Sequence, residues 1–348
     1  MVDTIEKRDI RKLKLDELKA FFQQHGEKPF RAQQVYEWLW NKSAKDFDQM
    51  TNLSIGLREM LKQHFTINHI KVDHMQRSAD GTIKNAVTLF DGMVVESVLI
   101  PAEKRITACV SSQVGCSLAC KFCATARLKR QRNLTPDEIY DQVVAIKEQA
   151  ELFYGRPLTN IVFMGMGEPL LNYTNVITAI EKITSQKGLN MASKRITVST
   201  VGIAKMIVKM ADDNVKFNLA VSLHAALDKT RSSIMPINDT NPLDELADAL
   251  RYWYQKTKKK VTYEYVVWKG INDTEEHAKA LLKFCKVIPS KVNLIEYNPI
   301  DDGEFQQASD EALNMYMHLL ESNGITTRVR KSRGKDIDAA CGQLANKS

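Results

Sequence analysis

Gly115-Cys-Ser-Leu-Ala-Cys-Lys-Phe-Cys123 places Cys116, Cys120 and Cys123 within eight residues, and neither cysteine nor histidine follows before His224. Three thiolates so spaced can hold three irons of a 4Fe–4S cube. Full ligation takes four cysteines, so the fourth iron would stay open to a ligand. The competing reading is a zinc knuckle, which wants four ligands and usually a second cysteine pair downstream. No such pair follows, so the pattern favours iron and sulfide.

On either side of this loop the chain alternates strand-like and helix-like segments. Apolar stretches at 106–111, 160–166, 195–200, 216–222, 262–267 and 291–297 read as strands. The helix after the loop is the best marked. Thr135-Pro-Asp-Glu138 forms a capping box with proline in the first turn, and Ile139, Val143, Ile146 and Ala150 line one face. Repeated βα units imply a parallel sheet with right-handed crossovers. The fold class expected is α/β, a partial (βα)6 barrel. Its strand ends carry polar or glycine-rich groups: the cysteine loop, Gly165-Met-Gly-Glu168, Ser199, Ser222-Leu-His224 and Asn298. Active sites of such barrels sit at those ends.

Residues 1–68 read as a small N-terminal helical domain, with apolar stripes at Leu13, Leu15, Leu18, Phe21 and Phe22 and again within 31–40. Residues 69–101 read as a β-hairpin extension, with turns at Asp80-Gly81 and Asp91-Gly92. The core barrel is expected over 102–334 and a separate C-terminal segment over 335–348.

The composition, with 44% hydrophobic and 26% charged residues, excludes wholesale disorder. No apolar run approaches the ~20 residues of a membrane span, and Met1–Arg11 lacks the apolar core of a secretion signal. Six cysteines in such a chain point to metal or redox chemistry rather than a disulfide framework. The net charge of +7 is concentrated in four basic runs, at Lys7–Lys14, Arg127–Arg132, Lys256–Lys260 and Arg328–Arg333. A polyanion across the active face would need such cations, so nucleic acid is the expected partner.

Cys116-x3-Cys120-x2-Cys123 resembles the signature of radical S-adenosylmethionine (SAM) enzymes, and Gly165-Met-Gly-Glu168 looks like their glycine-rich motif. Four longer stretches resemble one family among them, the RlmN/Cfr enzymes that methylate adenine carbons in RNA. They are Cys109-Val-Ser-Ser-Gln-Val-Gly-Cys116, Phe163-Met-Gly-Met-Gly-Glu-Pro-Leu-Leu-Asn172, Met235-Pro-Ile-Asn238 and Asp336-Ile-Asp-Ala-Ala-Cys-Gly-Gln-Leu344. The resemblance runs through most of the chain.

It implies one 4Fe–4S cluster on Cys116, Cys120 and Cys123, and two SAM molecules per turnover. Gly167, Glu168, Ser199, Ser222, Leu223, His224 and Asn298 match family positions that hold SAM. Cys341 matches the residue that takes a methyl from one SAM; a radical from the second SAM then activates that methyl for attack on adenine. Cys109 matches the thiol that releases product by forming a disulfide with Cys341, and Glu96 the base for the ring proton. The expected substrates are adenine 2503 of 23S rRNA and adenine 37 of tRNAs, methylated at carbon 2. A flavodoxin- or ferredoxin-type electron donor, a monomer and a cytoplasmic location are also implied.

Two other readings stay open at this point. A Cfr-type enzyme would methylate carbon 8, although Pro169 follows Glu168 where Cfr enzymes tend to carry alanine. A non-catalytic RNA-binding protein would keep its metal for structure alone. The stretch after Cys123 departs from the family by lacking a glycine, and Cys285 matches no family role.

Overall fold

The computed structural model describes residues 7–300 and 303–346. The first six residues of the charged N-terminal segment lie outside it. The chain begins with β1 (Arg8–Asp9), α1 (Leu15–Gln24), α2 (Phe30–Trp40), α3 (Ile55–His64) and β2 (Phe65–Thr66). Three antiparallel strands follow: β3 (Lys71–Arg77), β4 (Ile83–Thr88) and β5 (Val94–Ala102). Then come β6 (Arg105–Cys109), the short pair β7 (Gln113–Val114) and β8 (Arg132–Asn133), and α4 (Pro136–Tyr154). The rest alternates: β9 (Asn160–Phe163), α5 (Tyr173–Thr184), β10 (Ile196–Thr200), α6 (Ala204–Asp212), β11 (Asn218–Ser222), α7 (Asp228–Ile234) and α8 (Leu243–Thr257). It ends with β12 (Val261–Val266), α9 (Glu275–Cys285), β13 (Ser290–Ile295), α10 (Asp310–Ser322) and β14 (Thr326–Arg330).

Among the described residues, ten strands join in one sheet in the order β14-β13-β12-β11-β10-β9-β6-β5-β4-β3. The pairs from β6 through β9 to β14 are all parallel. The order is linear, so the arc stays open instead of closing into a full barrel. The expected α/β partial barrel with an N-terminal helical region is therefore present, and its six expected strands are β6 and β9–β13. The seventh, β14, was not anticipated. Thr326-Thr-Arg-Val-Arg330 offers little apolar contrast, and its arginines read as part of the basic run Arg328–Arg333.

The hairpin strands do not stand apart, because β5 pairs antiparallel with β6 and so extends the same sheet. Helix α4 starts as its capping box dictates: Glu138 accepts the Thr135 N–H at 2.9 Å, and Gly155 closes the helix at φ +58°. The N-terminal helices share the main core. They are fixed to α4 by buried Arg11, which meets Asp141 at 2.8 Å and Asp137 at 3.4 Å, and by the Tyr140 hydroxyl, which donates to the Trp40 carbonyl at 2.7 Å. No helix is long and apolar enough to cross a membrane among the described residues.

Candidate active site

The C-terminal ends of the parallel strands surround a cavity. Cys116, Cys120 and Cys123 form one wall, Glu168, Ser199 and Ser222 another, and His224, Asn298 and Cys341 complete the rim. With Gly167, all the residues matched to cluster and SAM roles thus meet beside Cys341, except Leu223. The Leu223 side chain is fully buried in the core, and the residue does not line the cavity.

The glycine motif after β9 is shaped by close backbone approach. A Cβ at Gly165 would stand 2.7 Å from the Val110 carbonyl oxygen. Gly167 has φ +91°, and a Cβ there would meet Gln113 Cβ at 2.4 Å. Both constraints place Glu168 under the cavity, where its N–H donates to Gln113 at 2.9 Å and its oxygens accept N–H groups of Leu170 and Val201, both at 3.0 Å. Burial pushes this carboxyl up to about 7. Gly167→Ala should add strain of roughly 1–3 kcal/mol, since alanine disfavours that backbone and has no room. A tenfold to hundredfold weaker grip on SAM, measured by equilibrium dialysis, is the expected outcome.

His224 also sits in the left-handed region, at φ +55°. Its Nδ1 accepts the Val266 N–H at 3.2 Å and its ring meets the Phe122 ring edge-on at 4.8 Å. Burial and nearby Arg231 lower its pKa to about 3, so the ring is a neutral brace between β12 and the cysteine loop. Ser199 and Ser222 hydroxyls lie 3.3 Å apart. Asn298 donates to the Cys341 carbonyl at 3.2 Å, while its own Oδ1 is buried with no hydrogen-bond partner among the described residues.

The C-terminal segment is laid across the cysteine loop. Ala124 N–H donates to the Gly342 carbonyl at 2.7 Å, and the Thr125 hydroxyl to the Leu344 carbonyl at 2.5 Å. Asp336 anchors the near end on Ser78 and Ala79, at 2.5 and 3.0 Å. The far end is held by Glu96, whose Oε2 accepts the N–H groups of Ala345 and Asn346 at 2.8 and 3.0 Å. Glu96 is fully buried and paired with Lys84 at 3.2 Å. It lines neither this cavity nor the one below.

Beneath the first cavity lies a second, of about 560 Å³, inside the arc of strands. Cys341 borders both, whereas Cys109 borders only the lower. Arg330 stands between them, 3.7 Å from Glu264, and the thiolates of Cys341 and Cys109 would hold its charge. Burial pushes Cys109 up to about 12. Cys285 is buried at the end of α9 and faces neither cavity.

A model of the radical SAM superfamily matches residues 110–284, and one of the ribosomal RNA large subunit methyltransferase N-terminal domain matches residues 8–67. A protein of Flavobacterium psychrophilum named "probable dual-specificity RNA methyltransferase RlmN" is 68% identical over 343 residues, 99% of each chain. The chain belongs to the RlmN family. The "dual-specificity RNA methyltransferase RlmN" of Geotalea uraniireducens is 43% identical and covers 98% of this chain and 97% of its own. A crystal structure of a radical SAM methyltransferase from Sphaerobacter thermophilus superposes with a TM-score of 0.91 at 39% identity, over 97% of this chain and 99% of that one.

As a radical SAM member of the RlmN family, the chain works with SAM and a 4Fe–4S cluster. The donor chemistry fits both. Cys116, Cys120 and Cys123 are free thiols on one wall, and the orphaned Asn298 Oδ1 lies in the same cavity. Among the described residues the thiols do not converge into a preformed metal set. Burial keeps them protonated, with Cys116 pushed up to about 11, so metal binding must displace their protons.

Sequence reading missed Arg330, Glu264 and Arg231. Glu264 had a visible signal, a carboxylate inside the apolar run Val261-Thr-Tyr-Glu-Tyr-Val266. Fully buried Arg231 explains the Met235–Asn238 motif. Asn238 accepts from it at 2.7 Å, and Arg231 in turn binds the carbonyls of Leu223, at 3.1 Å, and Val201, at the ends of two barrel strands.

Proposed function

We propose that this RlmN-family methyltransferase adds a methyl group to carbon 2 of adenine 2503 in 23S rRNA and of adenine 37 in tRNAs, carrying the methyl on Cys341. The observation that supports this most is the placement of Cys341. Although 218 positions separate it from Cys123, hydrogen bonds from the Ala124 N–H and the Thr125 hydroxyl lay its segment on the cysteine loop, at the junction of two cavities.

Cys116, Cys120 and Cys123 would hold the cluster. Gly167, Glu168, Ser199, Ser222, His224 and Asn298 would hold SAM, with Leu223 contributing backbone only. Bound there, the cluster and SAM supply a carbon-centred radical and the methyl group, two SAM being consumed per turnover. Cys341 accepts the methyl, and its sulfur then presents the activated carbon to adenine. Cys109 attacks Cys341 to free the product, leaving a disulfide. Arg330 stabilises whichever of the two sulfurs is a thiolate. Glu96, held by Lys84 and the C-terminal amides, takes the ring proton only after the tail shifts from it. The four segments 1–68, 69–101, 102–334 and 335–348 divide the labour: RNA docking, sheet extension, radical chemistry and methyl carriage. The enzyme acts as a cytoplasmic monomer reduced by a flavodoxin or ferredoxin.

SAM carries an ammonium group that the Glu168 carboxylate would receive. Protonation of Glu168 as pH falls through about 7 removes that partner. SAM affinity should therefore drop between pH 8 and pH 6, and Glu168→Gln should flatten the profile while binding weakly throughout.

The deciding assay combines anaerobically reconstituted protein, SAM and an rRNA fragment containing the target. 2-Methyladenine in the RNA digest with a methyl on the Cys341 peptide supports the reading. 8-Methyladenine would replace it with the carbon-8 chemistry, and neither product would overturn it.

A further inference from the structure

Closed β/α barrels are filled in layers by branched apolar side chains, and an open arc without a ligand would bury its inner face in the same way. The lower cavity departs from that rule. Alternate residues of the parallel strands point into it, and near the strand starts these are Thr107, Asn160, Thr197, Thr262, Lys291 and Thr326. Small hydroxyls leave the space open, and its volume of about 560 Å³ falls within the ~300–1,000 Å³ typical of small-molecule sites. Its charge is lopsided. Arg105, Lys291 and Arg328 border it, are exposed at its mouth, and pair with no carboxylate among the described residues. Glu264 is the one carboxylate among the residues that border it.

At its inner end are Cys109 and Cys341, the two sulfurs of the proposed disulfide. From the upper cavity, a reductant would have to displace SAM to reach Cys341 and could not touch Cys109 at all. We infer that the lower cavity is the entry path and binding site for a small anionic thiol that reduces the Cys109–Cys341 disulfide between turnovers. This inference rests on the disulfide pairing proposed above.

The thiolate of one reductant molecule attacks the more exposed Cys341 sulfur. The Cys109–Cys341 bond breaks, Cys109 leaves as a thiolate beside Arg330 and takes a proton, and a mixed disulfide remains on Cys341. A second thiolate attacks the reductant's sulfur, releases the Cys341 thiolate for protonation, and departs as the oxidised dimer. Two thiols are thus oxidised to one disulfide as the protein bond is reduced. A protein dithiol, whose redox-active sulfurs sit on a folded domain, is the competing reductant that the test must include.

The test uses the full-length protein carrying its cluster, oxidised with stoichiometric diamide, its Cys109–Cys341 link verified by peptide mass spectrometry. Reduction is timed with glutathione, 2-mercaptoethanol, cysteamine and a thioredoxin-type protein, with rates expressed per thiolate, and RNA binding is measured alongside. Glutathione should exceed cysteamine about tenfold at low salt, with the gap closing at high salt. The double variant Lys291→Glu, Arg328→Glu should reverse the order while its melting temperature stays near that of the parent. Failure to form the link overturns this inference together with the pairing it rests on. A link reduced without regard to charge, or faster by a thioredoxin-type protein than by glutathione, overturns the inference alone. The same holds if the cavity's cations slow RNA binding when reversed but leave the reduction rates untouched.

Discussion

Cys341→Ala protein, loaded with cluster and SAM, should bind RNA yet form no 2-methyladenine, a loss of at least ~10³-fold, as expected when the group that carries the transferred atom is deleted. Nothing near Cys341 can replace it. Cys109 is buried and reaches only the lower cavity, and the three cluster-loop thiols are proposed to be committed to iron. Cys109→Ala should fail at a different step. Methyl transfer to Cys341 proceeds, but RNA remains covalently attached, visible as a protein–RNA band on a denaturing gel. If both variants merely slow the reaction by similar modest factors, the methyl does not travel on Cys341.

Arg11→Ala should destabilise the protein by about 3–5 kcal/mol, the usual cost of removing one partner from a buried ion cluster. Arg11 is a lone guanidinium among Asp9, Asp137 and Asp141, all buried or nearly so. Without it three carboxylates face one another in a low-dielectric seam between the N-terminal helices and α4. Even with Arg11 present, burial pushes Asp141 up to about 6. That value lies above the 3.8 of the unfolded chain, so the group favours the folded state most below about pH 4, and the gain is lost as pH rises through about 6. Asp141→Asn should flatten this part of the stability profile, and chemical denaturation of both variants and the parent from pH 4 to 7 checks it. A change under 1 kcal/mol for Arg11→Ala would mean the helices dock by apolar packing alone.

The parallel strands and the cysteine loop were legible because local chemistry marks them: alternating β-branched runs, a capping box, and three thiols no core needs. The strand Thr326–Arg330 was not, because two of its three inward residues are arginines, and only the tertiary arrangement shows that Arg330 borders both cavities with Cys341. Glu96 shows the opposite limit. The resemblance singled it out as a base, but no local pattern could say that the amides of Ala345 and Asn346, far away in sequence, would occupy it. Likewise Leu223 was grouped with its neighbours Ser222 and His224, although strand alternation turns it to the other face of the sheet.

The segment bearing Cys341 is tethered at both ends, by Asp336 on one side and by Glu96 on the other. A thiol on a free chain end would have to search a wide volume before each encounter. One on a short doubly fixed loop has paid most of that search entropy during folding, and presents itself at a high effective molarity. On the proposed route, the Lys84–Glu96 pair would thus be linked to turnover through the disorder it removes while the tail is seated, before the tail leaves Glu96 free as a base, even though neither charge borders either cavity.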